Sequence, residues 1–189
     1  KRWPYDPEAA KKLLAEAGYA QGFDIVMDCP NDRYVNDEAI CQAVVAMLNR
    51  VGVKASLNAM PKAKFFEKAG PTRKYDSSFN MLGWTPSSLD SLNILRNIAG
   101  CRDANGKGAI FNYGGYCNKQ VEELADKVQV ETDIAKRDDL IAQAFRIVHE
   151  EAGLLPLHQQ SLAWGVSKKI KMVQRPDNQI LFYWATKKD

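Results

Sequence analysis

The sequence predicts an α/β fold, with helices flanking a sheet that has some parallel strands. β-rich runs at 23–27, 53–57 and 79–83 are separated by stretches whose apolar residues recur at helical spacing. Strand and helix alternate through the first half, which is how a chain makes the crossovers a parallel pair needs. No internal repeat or low-complexity linker interrupts this order. With 189 residues, 46% of them hydrophobic and 26% charged, the chain is long enough for one soluble domain with a real core.

The elements follow in order. Asp6-Pro7-Glu8 starts a helix, with a capping Asp and Pro at the first helical position. Ala10, Leu13, Leu14 and Ala17 form its apolar face, and Gly18 stops it. Phe23 to Met27 is a strand, followed by a loop from Cys29 to Tyr34. Asn36 caps a second helix whose buried face is Ile40, Val44, Met47, Leu48 and Val51. Gly52 ends it, and Val53, Ala55 and Leu57 mark the next strand. Pro61 starts a short helix with Phe65 and Phe66, closed by Gly70. Phe79 to Gly83 is a third strand, and a helical stretch runs from about Ser91 to Ala99. The Gly- and Asn-rich segment 100–118 reads as loop.

Two further helices follow. Val121, Leu124, Ala125 and Val128 line the first; Leu140, Ile141, Ala144, Phe145 and Val148 line the second, which Gly153 stops. Short strands are expected at 154–157, 162–166 and 180–184. The loops at 30–35 and 84–90 each follow the end of a strand, where ligands collect in open α/β sheets.

Several chemistries find no support. The net charge of +3 is spread along the chain without a basic run, so nucleic acid is not an expected partner. No apolar segment approaches the about 18 residues of a membrane span. There is no P-loop, no G-x-G-x-x-G and no G-x-S-x-G. His149 and His158 lie far from the four cysteines, whose spacing does not suit zinc. Asp37 and Glu38 are explained by their place at a helix start. Neither a catalytic residue nor a metal or cofactor is expected. Cysteines 29, 41, 101 and 117 fit two disulfides or four buried thiols equally well.

Binding residues are better represented. Trp84, Tyr34, Tyr113 and Tyr116 are aromatics set among Gly, Asn or Pro, a type that gives contact area with little rotamer entropy. Arg33 can pair with a carboxylate. Asp90 can accept from a ligand amine, or cap the helix that follows it.

Tyr5-Asp-Pro-Glu8 with Lys11-Lys-Leu-Leu-Ala-Glu-Ala-Gly-Tyr19 resembles a segment of the family 5 extracellular solute-binding proteins. These are the dipeptide-, oligopeptide- and nickel-binding-type receptors of ABC importers. Asn31-Asp-Arg-Tyr34, Asn36-Asp-Glu38, Leu82-Gly-Trp84, Asn112-Tyr-Gly-Gly-Tyr116 and Leu155-Pro-Leu-His158 follow in the family's order.

The resemblance implies one lobe of a type II periplasmic-binding-protein-like fold, a mixed sheet flanked by helices. Residues 1–189 would form a single domain, the C-terminal lobe. The N-terminal lobe would be missing, and 167–189 would be a tail returning toward it. The implied function is capture of a peptide or other small solute in an interlobe cleft, without catalysis, and delivery to permease subunits of the ABC importer. The implied place is the periplasm, or the cell exterior for a membrane-anchored lipoprotein. The competing readings are an α/β hydrolase or transferase domain, and a receptor-derived interaction or signalling domain.

The resemblance also implies ligand-facing residues: Asn31, Arg33, Trp84, Ser87, Asp90, Tyr113 and Gln159. In peptide-binding members an aspartate three residues beyond the Gly-Trp tryptophan holds the ligand's amino terminus; here that position is Ser87. An oxidising compartment favours the pairs Cys29–Cys41 and Cys101–Cys117.

Overall fold

The computed structural model describes residues 2–103 and 105–188. Ala104, inside the expected loop 100–118, and the two end residues of the expected domain and tail lie outside the described residues. The chain divides into two compact units, described here one at a time: Lys1–Gly83 with Asn97–Lys119, and Trp84–Arg96 with Gln120–Asp189.

In the first unit, helix α1 spans Pro7–Glu16, and Asp6 caps it by accepting from the Ala9 amide at 2.9 Å. It buries no residue, and Leu13 on its expected apolar face is 63% exposed. Strand β1 (Asp24–Pro30) leads to helix α2 (Asp37–Arg50), and strand β2 (Lys54–Met60) pairs parallel with β1 from Asp24↔Lys54 to Pro30↔Met60. The α2 crossover is what allows this parallel register. Helix α3 (Lys62–Ala69) follows, with Phe65 fully buried.

Two expectations for α2 are corrected. Asn36 occupies the cap position in a left-handed conformation, but its side chain makes no cap hydrogen bond. The buried Asp37 carboxylate does the work, accepting from the amides of Arg33, Tyr34 and Glu38 at 2.9 Å each. The inner face also differs. Met47 is 43% exposed, and Val45 packs with Ile40 and Val44 instead. Cys41 explains the rotation: its disulfide to Cys29 on β1 ties that side of the helix to the sheet. Met27, Cys29, Cys41 and Met81 are the buried centre of this layer.

The expected third strand is reduced to one parallel bridge, Asp28↔Asn80. It has real hydrogen bonds, from the Asp28 amide to the Phe79 carbonyl (2.9 Å) and from the Met81 amide to the Asp28 carbonyl (3.2 Å). Serines 77 and 78 before it and Gly83 after it are poor strand formers, which keeps it short. A 3-10 turn at Pro71–Arg73 follows α3, and the described residues of 100–118 are mostly loop, as expected, with one bridge at Arg102↔Gly108 and the Cys101–Cys117 cross-link.

In the second unit, helices α4 (Leu92–Asn97), α5 (Lys119–Val130) and α6 (Ile134–Glu150) carry the packing. Val121, Leu124, Ala125 and Val128 of α5 are buried, as are Ala144 and Val148 of α6. Arg96 on α4 pairs with Asp126 and donates to Gln129 on α5. After α6 the residue with positive φ is Ala152, while Gly153 donates back to the Val148 carbonyl.

The strands expected at 154–157, 162–166 and 180–184 do not form. The antiparallel pair here is β3 (Ile170–Lys171) with β4 (Thr186–Lys187), and Phe182–Trp184 is a single 3-10 turn. Apolar runs of four or five residues look strand-like, but a strand needs a partner for its amides. Leu155, Leu157 and Val166 are instead exposed. Among the described residues no helix is long and apolar enough to cross a membrane.

Candidate ligand-binding loops

Three of the seven candidate residues fall in the first unit. The chain leaves β1 at Pro30 and turns at 31–36, stapled beneath by Cys29–Cys41. Asn31 is exposed and its amide donates to the Met60 carbonyl at 3.0 Å. Arg33 is exposed, with its guanidinium 5.0 Å from the centre of the Tyr34 ring. Burial pushes the Asp37 carboxyl up, but the amides of Tyr34, Arg33 and Glu38 outweigh it. Its pKa stays below the ordinary value, so this turn is organised around a fixed negative charge.

Tyr113 is not at the surface. It is 5% exposed and packs against Phe65, Tyr75 and Phe111. Burial, helped by Tyr34 and Tyr75, pushes its hydroxyl up to about 12. Its role here is packing.

In the second unit, Trp84, Ser87 and Asp90 share one loop. Trp84 is half-buried and its indole nitrogen donates to Asn93 Oδ1 at 2.8 Å, pinning the start of the loop to α4. Asp90 pins the end: Oδ1 accepts from the Leu92 amide at 2.8 Å, and the carboxylate pairs with Arg137 of α6 at 2.9 Å. The Arg137 guanidinium and the Leu92 amide hold the Asp90 carboxyl below its ordinary value against opposing burial. The helix-start reading of Asp90 therefore fits its contacts. Ser87 is exposed between the two anchors. Gln159 and His158 are also exposed, on a separate segment after α6; His149 lies on α6 itself.

Sequence reasoning misses an ion network in the first unit that is built on a buried aspartate. Asp28, 3% exposed on β1, accepts from Asn58 at 2.7 Å and pairs with Lys68 at 3.2 Å. Lys68 also pairs with Asp76, and donates to its carbonyl. Burial lowers the Lys68 ammonium, but Asp76 and Asp28 outweigh it and raise it. An aspartate inside an apolar strand was the available signal. Beside it is a concavity of about 680 Å³ on the sheet face turned away from α2, lined by Val26, Ser56, Lys68, Ser77, Arg102 and Tyr113 among others. Of the candidate residues, Tyr113 alone contributes to it. No group of three or more His, Cys, Asp or Glu side chains suited to a metal occurs among the described residues.

Comparison with known proteins gives a consistent answer. Residues 1–106 match "Bacterial extracellular solute-binding proteins, family 5 Middle". The dipeptide-binding protein of Escherichia coli K12 is 30% identical over 172 residues, covering 89% of this chain and 31% of that protein. The glutathione-binding protein GsiB of Shigella dysenteriae is 28% identical, covering 90% and 33%. The chain thus spans about a third of the length of the curated relatives it matches. A dipeptide-binding protein of Pseudoalteromonas sp. SM9913, solved with Met-Leu, superimposes with a TM-score of 0.77 at 23% identity, over 97% of this chain and 36% of the other. That likeness establishes the expected fold class, part of a type II periplasmic-binding-protein fold.

Proposed function

This chain belongs to the bacterial extracellular solute-binding proteins of family 5, and from that premise we propose that it captures a small solute for an ABC importer. Relatives named for dipeptides and glutathione make short peptides the first solutes to consider. The observation that carries the reading is the 84–90 loop. Its aromatic residue and its carboxylate are both fixed by hydrogen bonds, and Ser87 is left in solvent between them. A fixed aromatic beside a free hydroxyl can stack on and hydrogen-bond to a ligand at little entropic cost.

In this reading Trp84 and Ser87 face the solute, and Asp90 supports their loop from behind. Ser87 offers a hydroxyl where a charge would be needed to hold a peptide ammonium strongly. Recognition then shifts to other parts of the ligand. The protein works by binding and release and does no chemistry on the solute. It acts outside the cytoplasmic membrane, in the periplasm or as an anchored lipoprotein, and hands the solute to permease subunits. The residues serve as the C-terminal lobe of a two-lobed receptor. Segment 167–189 reaches toward the other lobe, for which the exposed Phe182 and Tyr183 provide apolar area.

Calorimetry of the full-length receptor with Met-Leu, reduced glutathione and a panel of other di- and tripeptides tests this. Saturable heat with at least one of them is expected. Silence across the panel, with a non-peptide solute co-purifying in its place, would remove peptides from the reading.

A further inference from the structure

We infer that Arg137 is a positioning residue for the 84–90 loop, setting the turn that presents Ser87 by holding Asp90 against α5 and α6. The inference rests on the reading of this loop as solute-binding. Three features carry it.

First, the guanidinium serves both ends of a link. Nη2 reaches Asp90 Oδ1 at 3.0 Å and Oδ2 at 2.9 Å, while Nε donates to the Val128 carbonyl near the end of α5 at 3.2 Å. Asp90 in turn accepts from the Leu92 amide. One side chain on α6 therefore joins α5 to the end of the loop. A lysine ammonium lacks the planar fork that satisfies two directions at once.

Second, the loop contains a residue that needs holding. Leu89 sits at φ 54°, in the left-handed region, and its amide closes a turn on the Pro86 carbonyl at 3.0 Å. A leucine adopts this conformation at a cost of about 1–2 kcal/mol, so the surrounding contacts must impose it. Asp90 is the next residue, and its ion pair is the contact best placed to do so.

Third, the pair is only partly open to water. The Arg137 side chain is 25% exposed and that of Asp90 36%. Its attraction is screened less than that of a fully exposed pair.

Hydrogen exchange followed by mass spectrometry on the whole chain tests the inference. Arg137→Gln should raise exchange in peptide 84–92 by about tenfold, the effect of one lost charge-assisted contact. The β1 peptide 24–30 should keep its protection. Arg137→Lys should restore part of the lost protection, and Asp90→Asn, which keeps an acceptor for the Leu92 amide, should change little more when added to Arg137→Gln. Unchanged exchange in 84–92, an equal rise everywhere, or full additivity of the two substitutions would each overturn the inference.

A second arm titrates Met-Leu by calorimetry. If the parent binds it, weaker binding by Arg137→Gln with partial recovery in Arg137→Lys supports the positioning role, and equal binding overturns it. If the parent binds neither Met-Leu nor any other peptide of the panel, it is the peptide reading that falls, and the exchange arm alone decides whether Arg137 sets the turn.

Discussion

Tyr34 closes over Gly83: its hydroxyl donates to the Gly83 carbonyl at 3.3 Å, and a Cβ at position 83 would lie 2.6 Å from its ring. The 31–36 turn is thereby fastened to the residue before Trp84. Gly83→Ala should force the ring aside and cost about 1–3 kcal/mol, as overpacking does. The same substitution made in a Tyr34→Ala background should cost clearly less. Urea unfolding of the four variants checks this, and equal costs in both backgrounds would show that the ring is not the obstacle.

Asp37 makes stability depend on acidity in a stated direction. Its carboxyl is held below the ordinary value in the folded chain, so the unfolded chain takes up the proton first as pH falls. The stabilisation is complete above about pH 4, the unfolded value, and disappears as pH drops through the lower folded value. Asp90 acts in the same sense. Asp37→Asn should lose about 1–2 kcal/mol at neutral pH and flatten the fall in urea midpoint between pH 6 and pH 2. A midpoint curve identical to that of the parent would remove Asp37 from the account.

Both disulfides should be intact in protein purified without reductant, and a thiol count under denaturing conditions should find none free. Each cross-link closes a short loop, with separations of 12 and 16 residues. Loss of either should cost about 3 kcal/mol by the chain-entropy account. Replacing Cys29 and Cys41 together by Ala and measuring denaturant unfolding checks the first; an unchanged midpoint would argue against it.

In the full-length receptor, Trp84→Ala should weaken solute binding about tenfold or more while leaving the circular dichroism spectrum and the thermal midpoint close to the parent. Its indole is half-buried and donates to Asn93, and it is not one of the buried core residues. Unaltered affinity by calorimetry would take Trp84 out of the site.

Much of this architecture was legible in the sequence where local chemistry settles the matter. Asp6-Pro7 starts α1, and helical spacing located the buried faces of α5 and α6. Apolar runs failed as a guide where pairing decides: Leu162 to Val166 has the composition of a strand, but forms none. The rotation of α2 was hidden because a disulfide from Cys41, rather than apolar spacing, selects its inner face. For the loops, the sequence offered residue types without their attachments. Asp90 reads from the sequence as either a ligand acceptor or a helix-start residue, and its contacts fit the second. Its partner Arg137 lies 47 positions away, beyond any local pattern. Tyr113 stands among glycines and looks like a surface aromatic, yet long-range packing with Phe65 buries it.

The staple between Cys29 and Cys41 has a further consequence for how this chain would survive damage. The 31–36 turn is surface-exposed at most of its positions, which makes it a natural place for a protease to cut. Such a cut falls inside a closed covalent ring. The two halves of the chain would stay joined, run as one species on a non-reducing gel, and separate only when a thiol is added.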